Sequence, residues 1–198
     1  MTTPMRALGA FAGTLVALVG CTASVVSLQP THAPVSAAPQ DAGAWSLRSD
    51  TVAGAQAAGL RLASMANMGK MDAHFHVHVD VIANGQPVLV PGNVGVEVSS
   101  GAMTDLHTHD TSGVVHVEAM GKRAYTLGQL FTEWGITLDE THLGPHTVDA
   151  SHPLAVYVDG HRVQRPADLV LKNHQAIAVV YGALGPSALP STFDFGSQ

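Results

Sequence analysis

The chain of 198 residues has a single cysteine, Cys21, and few charged residues. One cysteine cannot close a disulfide within the chain, so the fold must depend on its hydrophobic core. Charged residues make up only 12% of the sequence, and the net charge is −6 when histidines are neutral. Such a surface repels phosphate backbones, so nucleic acid is not an expected partner. The sequence also lacks the Gly-x-Ser-x-Gly pattern that presents a serine nucleophile.

The N-terminal segment is typical of an export signal. Arg6 supplies a positive charge, and residues 7–19 form an apolar run. This run is shorter than the roughly 20 apolar residues that a membrane-spanning helix needs. Its end, Leu18-Val19-Gly20-Cys21, resembles the lipobox of bacterial lipoproteins. The resemblance implies cleavage before Cys21 and a diacylglycerol on its thiol; the alternative is an ordinary signal peptide with a chance cysteine.

A lipid on Cys21 would determine where the protein works. We then expect an exported protein that is anchored to the cell membrane and faces outward, in the periplasm or at the cell surface. The expected partner is the membrane, through the lipid anchor, and an envelope protein is a further candidate partner. A lipidated cysteine is also lost as a metal ligand or nucleophile.

Composition divides the chain into four parts. Residues 1–20 form the predicted lipoprotein signal peptide, and residues 21–71 form the lipidated cysteine with a low-complexity spacer rich in Ala, Ser, Thr, Pro and Gly. Residues 72–182 carry nearly all the periodic apolar pattern and form the predicted domain. Residues 183–198 are interpreted as a flexible tail.

The predicted domain opens with a strictly alternating segment at 74–82, the pattern of a strand with one buried face. Its apolar side chains share one face: Phe75, Val77, Val79 and Val81. Its polar side chains share the other: His74, His76, His78 and Asp80. Asn84-Gly85 then predicts a two-residue hairpin turn, because both residues tolerate positive φ.

The remaining pattern predicts one helix among further strands. Thr126 is a good N-cap for a helix that buries Phe131 and Trp134 and ends at Gly135. Further strands are expected at 114–118, 154–158, 169–171 and 176–181. This order resembles the β-grasp arrangement, an α+β fold in which a small mixed β-sheet packs on one helix. A β-sandwich or barrel is the alternative.

Histidine is the main functional signal. Eleven of the twelve histidines lie between His74 and His174. Alternate strand residues lie roughly 6.6 Å apart on one face, so two neighbouring imidazoles can reach one metal ion. An exposed polar strand face is the other interpretation. The predicted metal ligands are His74, His76, His78, His107, His109 and His116.

Two acidic residues accompany the histidines. Asp110 and Glu118 are predicted to orient imidazoles by hydrogen bonds from outside the ligand set. Residues 110–113 also suit a chain turn that presents the histidines. The imidazole-rich set favours Cu or Zn over Mg and Ca, which prefer oxygen ligands.

Three functions fit this pattern. The first is a metal-binding envelope lipoprotein that sequesters, delivers or senses Cu or Zn. The second is a metal-dependent oxidoreductase or hydrolase that uses the same histidines and keeps a coordination position open. The third is an interaction module whose histidines change charge with pH.

Four segments carry a family resemblance: HFHVHVDVIANGQPVLVPGNVGV, LHTHDTSGVVHVEAMGKRAYTLGQLFTEWGI, VYVDGHRV and HQAIAVVYG. Together they resemble a family of small exported His-rich bacterial and archaeal domains of uncharacterised function. The family's marks are a His-x-His-x-His strand, a Leu-His-Thr-His-Asp turn and a helix that ends in Trp-Gly. The resemblance spans residues 72–182 and implies that these histidines matter, but it implies no reaction.

Overall fold

The computed structural model of the chain describes residues 42–64, 71–184 and 188–196. The predicted signal peptide and Cys21 therefore lie outside the described residues. The α-helices are α1 (Thr51–Ala57) and α2 (Leu127–Trp134). The strands in chain order are β1 (Ala63–Ser64), β2 (Ala73–Ala83), β3 (Gln86–Val88), β4 (Val96–Glu97), β5 (Ala102–Met103), β6 (Leu106–His107), β7 (Val114–Ala119), β8 (His142–Leu143), β9 (His146–Thr147), β10 (Leu154–Val158), β11 (His161–Val163) and β12 (Ala176–Tyr181). Short 3-10 helices span Ala42–Trp45 and Pro166–Asp168.

Strands dominate this α+β fold. A seven-stranded mixed sheet has the order β11-β10-β12-β2-β7-β6, and β3 pairs with the far end of β2. At its centre β2 lies parallel to β12 and antiparallel to β7. Two small sheets, β1-β5-β4 and β8-β9, complete the strand pairing, and no sheet closes into a barrel in the described part of the chain. Within the same ranges, no helix is both long and apolar enough to cross a bilayer.

The alternation of β2 decides which side chains enter the core. Val77, Val79 and Val81 are at most 2% exposed and belong to the main hydrophobic cluster. Asn84 and Gly85 have φ values of 50° and 74° and turn the chain into β3, which confirms the predicted hairpin. The histidines of β2 therefore occupy the opposite face of the sheet.

Helix α2 packs on the core face. The Thr126 hydroxyl accepts a hydrogen bond from the Gln129 backbone N–H, and the Gln129 side chain accepts one from the Thr126 backbone N–H. This reciprocal cap begins the helix, and Gly135, with φ of 91°, ends it. Phe131 and Trp134 are completely buried, which confirms that they are core residues.

Segments outside the predicted boundaries at 72 and 182 also pack on this domain. Trp45 is 5% exposed, and its carbonyl accepts a 2.9 Å hydrogen bond from Trp134 Nε1. On the other face of the sheet, the ring of Phe193 stacks on His78 with a centroid distance of 3.8 Å. Single aromatic side chains thus fix segments whose overall composition is typical of spacers and tails.

The strand expected at 169–171 forms only one bridge, between Thr126 and Val170. Its backbone bonds instead to the start of α2: Leu127 N–H donates to the Leu169 carbonyl, and Leu171 N–H donates to the Tyr125 carbonyl. This segment therefore holds the helix entry in place and does not extend the main sheet.

Candidate metal centre

Three histidines lie side by side on adjacent strands. His76 of β2 and His107 of β6 both pair in register with His116 of β7, which lies between them. Their chain neighbours Val77 and Leu106 are buried in the core. Since successive strand residues alternate in direction, the three imidazoles project from the face opposite helix α2.

A first set of donors, called here the four-donor group, consists of His74, His76, His116 and Glu118. One ligand atom from each lies within 4.8 Å of all the others. His76 Nε2 is 3.0 Å from His116 Nδ1, and His116 Nδ1 is 3.3 Å from Glu118 Oε1. His74 Nε2 is 3.5 Å from the same Glu118 oxygen. Donors bonded to one tetrahedral ion at about 2.0–2.1 Å lie roughly 3.3 Å apart, so these spacings match that geometry.

The hydrogen bonds of this group show where its protons lie. An ionised carboxylate only accepts, so His116 Nδ1 carries the hydrogen and directs it toward Glu118 Oε1 and His76 Nε2. Burial, and then the nearby His116, lower the pKa of His76. Burial, and then the nearby His107, likewise lower the pKa of His116. Both imidazoles are therefore neutral at pH 7, which is the state that binds metals.

A second set, called here the three-imidazole group, consists of His107, His109 and His116. Their ligand atoms also lie within 4.8 Å of one another. The ring of His107 stacks on that of His116 at 5.3 Å, and the ring of His109 lies edge-on to His116 at 4.5 Å. His116 is thus common to both groups.

His107 is completely buried, and one of its ring nitrogens is left without a partner. Its Nδ1 lies 2.9 Å from the carbonyl of Thr104, which can only accept, so Nδ1 carries the hydrogen. Its Nε2 then has a lone pair, and no described residue donates a hydrogen bond to it. Burial lowers the pKa of His107 and so keeps this lone pair unprotonated. A backbone carbonyl that fixes the tautomer of an imidazole is a common feature of metal-ligating histidines.

The residue that hydrogen-bonds to His107, Thr104, could not have been predicted from the sequence. Thr104 acts through its backbone carbonyl, which every residue type has, and no side-chain pattern could have singled it out. The carboxylate of Glu118, predicted to lie outside the ligand set, is placed by the structure among the donors themselves.

The remaining predicted residues lie at the margin. Among the described residues, His78 belongs to neither the four-donor group nor the three-imidazole group. Its Nε2 is 2.9 Å from the Ser112 carbonyl, and its ring stacks on Phe193. Asp110 Oδ1 accepts a 2.8 Å hydrogen bond from the Ser112 backbone N–H. Hydrogen bonding by the Ser112 side chain, and then by its backbone, lowers the pKa of Asp110. Asp110 therefore closes the turn that follows His109.

Comparison with known proteins adds no assignment: no family model, curated protein or solved structure matches this chain.

Proposed function

We propose that this protein is an exported lipoprotein, anchored through Cys21, that binds Cu(II) or Zn(II) with the four-donor group. The observation that carries the metal assignment is the spacing of this group. Three of its donor separations, at 3.0, 3.3 and 3.5 Å, lie close to the roughly 3.3 Å expected between donors of a tetrahedral site. All four ligand atoms lie within 4.8 Å of one another, which favours metal binding with small side-chain movements.

The chemistry of the donors selects the metal. Three imidazole nitrogens and one carboxylate oxygen suit Zn(II) or Cu(II). Mg(II) and Ca(II) prefer sites made mostly of oxygen ligands, so they should compete poorly. A protein at the membrane surface with such a site would sequester, deliver or sense the ion, and an envelope protein would be its partner in delivery.

The strand order supports the β-grasp-like assignment within this proposal. Along the main sheet, the first and last long strands, β2 and β12, lie parallel at the centre. Helix α2 connects β7 on one side to β10 on the other, with short β8 and β9 between them in the chain. This arrangement leaves the sheet face opposite the helix for the histidines.

A metal-dependent enzyme is the second candidate, because the three-imidazole group holds only three donors. Catalytic zinc sites commonly combine three protein ligands with a water or substrate in the fourth position. Asp110 is exposed and hydrogen-bonded within its own turn. Glu118 is buried, lies 3.3 Å from His116 of this group, and is therefore the carboxylate that could act as a base.

Metal titration of the metal-free full-length chain tests the proposal. We expect Zn(II) and Cu(II) to bind with Kd below about 10 μM, and His76→Ala to weaken binding more than tenfold. Loss of a residue that only hydrogen-bonds to a metal ligand already lowers metal affinity by about 10–100-fold, and loss of a ligand should cost at least as much. His161→Ala, which removes an exposed histidine of β11, is the matched control and should leave affinity unchanged. If neither metal binds, or if both variants behave alike, the proposal fails and a pH-responsive interaction module becomes the better account.

A further inference from the structure

The other histidines of the two groups lie on opposite sides of His116. His74 and His76 come from β2, whereas His107 comes from β6 and His109 from the loop that follows it. Strand β7, which carries His116, lies between β2 and β6. Neighbouring strands are about 4.8 Å apart, so the outer strands lie roughly 9.6 Å apart. The ligand atoms therefore form two groups that share only His116.

His116 belongs to both groups and has two ring nitrogens, so it can offer a different nitrogen to each group. Its Nδ1 contacts His76 Nε2 and Glu118 Oε1 in the four-donor group. Since Nδ1 carries the hydrogen, Nε2 has a lone pair. The ring of His107, whose own Nε2 is buried and has no hydrogen-bond donor among the described residues, stacks on the ring of His116. An unsatisfied buried lone pair is costly, and a metal ion would satisfy it.

We propose that the site takes two divalent ions, Cu(II) or Zn(II), and that the imidazole of His116 bridges them. This inference rests on the proposed function, which supplies the first ion at the four-donor group. The second ion binds His107 Nε2, His109 and His116 Nε2, and one coordination position remains for a water or a small anion. When both ions are bound, the hydrogen of the His116 ring has left as a proton to solvent, and each ring nitrogen uses one electron pair to bond one ion.

Copper loading of the full-length chain tests the bridge. The metal-free chain is incubated with excess Cu(II), desalted, and measured for copper per chain and for electron paramagnetic resonance. We expect two copper ions per chain and a spin count well below the copper content, because an imidazolate couples the two unpaired electrons. Two ions with a full spin count would overturn the bridge, even though both sites would exist.

Surface variants assign the second ion without disturbing the core. His107 is completely buried, so His107→Ala can fail to fold; His109 is exposed, and His109→Ala removes a ligand of the second ion only. We expect His109→Ala to bind one copper tightly, to weaken the second more than tenfold and to recover the full spin signal. His161→Ala is the control and should keep both ions coupled.

The remaining outcomes separate this inference from the proposed function. If the wild-type chain binds one ion, and both His74→Ala and His109→Ala weaken that same ion, the histidines form a single centre and the inference is wrong. If two ions bind but His109→Ala changes neither, the second copper lies elsewhere and the inference is again wrong. If no ion binds, the proposed function itself fails.

Discussion

The buried imidazole of His107 donates its Nδ1 hydrogen to the Thr104 carbonyl, 2.9 Å away, which leaves its Nε2 without a hydrogen-bond partner among the described residues. Without a bound metal ion, this nitrogen would be an unsatisfied polar atom in the interior of the described fold. Such an atom typically costs about 1–3 kcal/mol. The free energy of unfolding should accordingly depend on metal.

Zinc is expected to stabilise the fold. At a free concentration 100 times its Kd, a ligand that binds only the folded state adds about 2.7 kcal/mol to the free energy of unfolding. Chemical denaturation with and without Zn(II) measures this gain. His116→Ala removes a ligand from both groups and should lose most of the gain, whereas His161→Ala should retain it. An equal gain in the two variants would mean that zinc acts outside the described site.

Glu133 makes stability depend on pH. This α2 residue is 2% exposed, and the nearby Thr104 hydroxyl donates its hydrogen to the Leu106 carbonyl, 2.7 Å away. Burial raises its pKa from an ordinary 4.5 to about 8, so between these pH values the folded chain holds a proton that the unfolded chain releases. Stability must then fall as pH rises through that window, by an amount on the order of 4 kcal/mol.

Glu133→Gln tests this dependence. The variant keeps the shape of the side chain but cannot ionise, so the difference in unfolding free energy between it and wild type should grow from pH 5 to pH 8. Contributions from the histidines cancel in this difference. Glu140→Gln, at an exposed position, is the control and should track wild type. A constant difference across the pH range would show that Glu133 is ionised in the folded chain.

Trp134 should be essential for stability and not for metal binding. Its completely buried side chain packs against Phe131 and Trp45, on the opposite side of the sheet from the histidines. Truncation of a buried aromatic residue typically costs about 3–5 kcal/mol, and we expect this for Trp134→Ala in denaturant unfolding. Leu89→Ala, at a side chain that is 61% exposed, should change stability by less than about 0.5 kcal/mol. A stable Trp134→Ala variant that no longer binds metal would contradict the assignment.

Membrane attachment should depend on Cys21. Its position directly after the apolar run predicts lipidation, and Cys21→Ser should release the protein from membranes or block its maturation. Fractionation of cells and the electrophoretic mobility of the protein measure both effects. A variant that fractionates and migrates like wild type would rule out the lipobox interpretation.

Local patterns were enough to predict the elements that carry the site. The alternation at 74–82, the turn at Asn84-Gly85 and the cap at Thr126 each depend on neighbouring residues, and the structure contains all three. The structure also brings His116 together with His74 and His76 of β2, because the predicted strand at 114–118 pairs with β2, and it pairs His107 with His116.

Other features depend on contacts that no local pattern records. The alternation of the strand places His78 on the same face as His76. The Ser112 carbonyl and the Phe193 ring, however, contact His78 and hold it away from the candidate metal ligands. Trp45 lies in a segment of spacer-like composition, and tertiary contacts, among them that with Trp134, 89 residues away, make it a core residue. These placements arise from tertiary packing.

The parallel pairing of β2 with β12 also has a consequence for the order of folding. His78 pairs with Ala176, so this contact closes a loop of roughly 100 residues, and such long-range pairings form slowly. The metal donors, in contrast, all lie between His74 and Glu118, and His76 meets His116 only 40 residues away. The donor-bearing strands can therefore meet before β12 has been synthesised, which would make a bound ion a template for strand pairing.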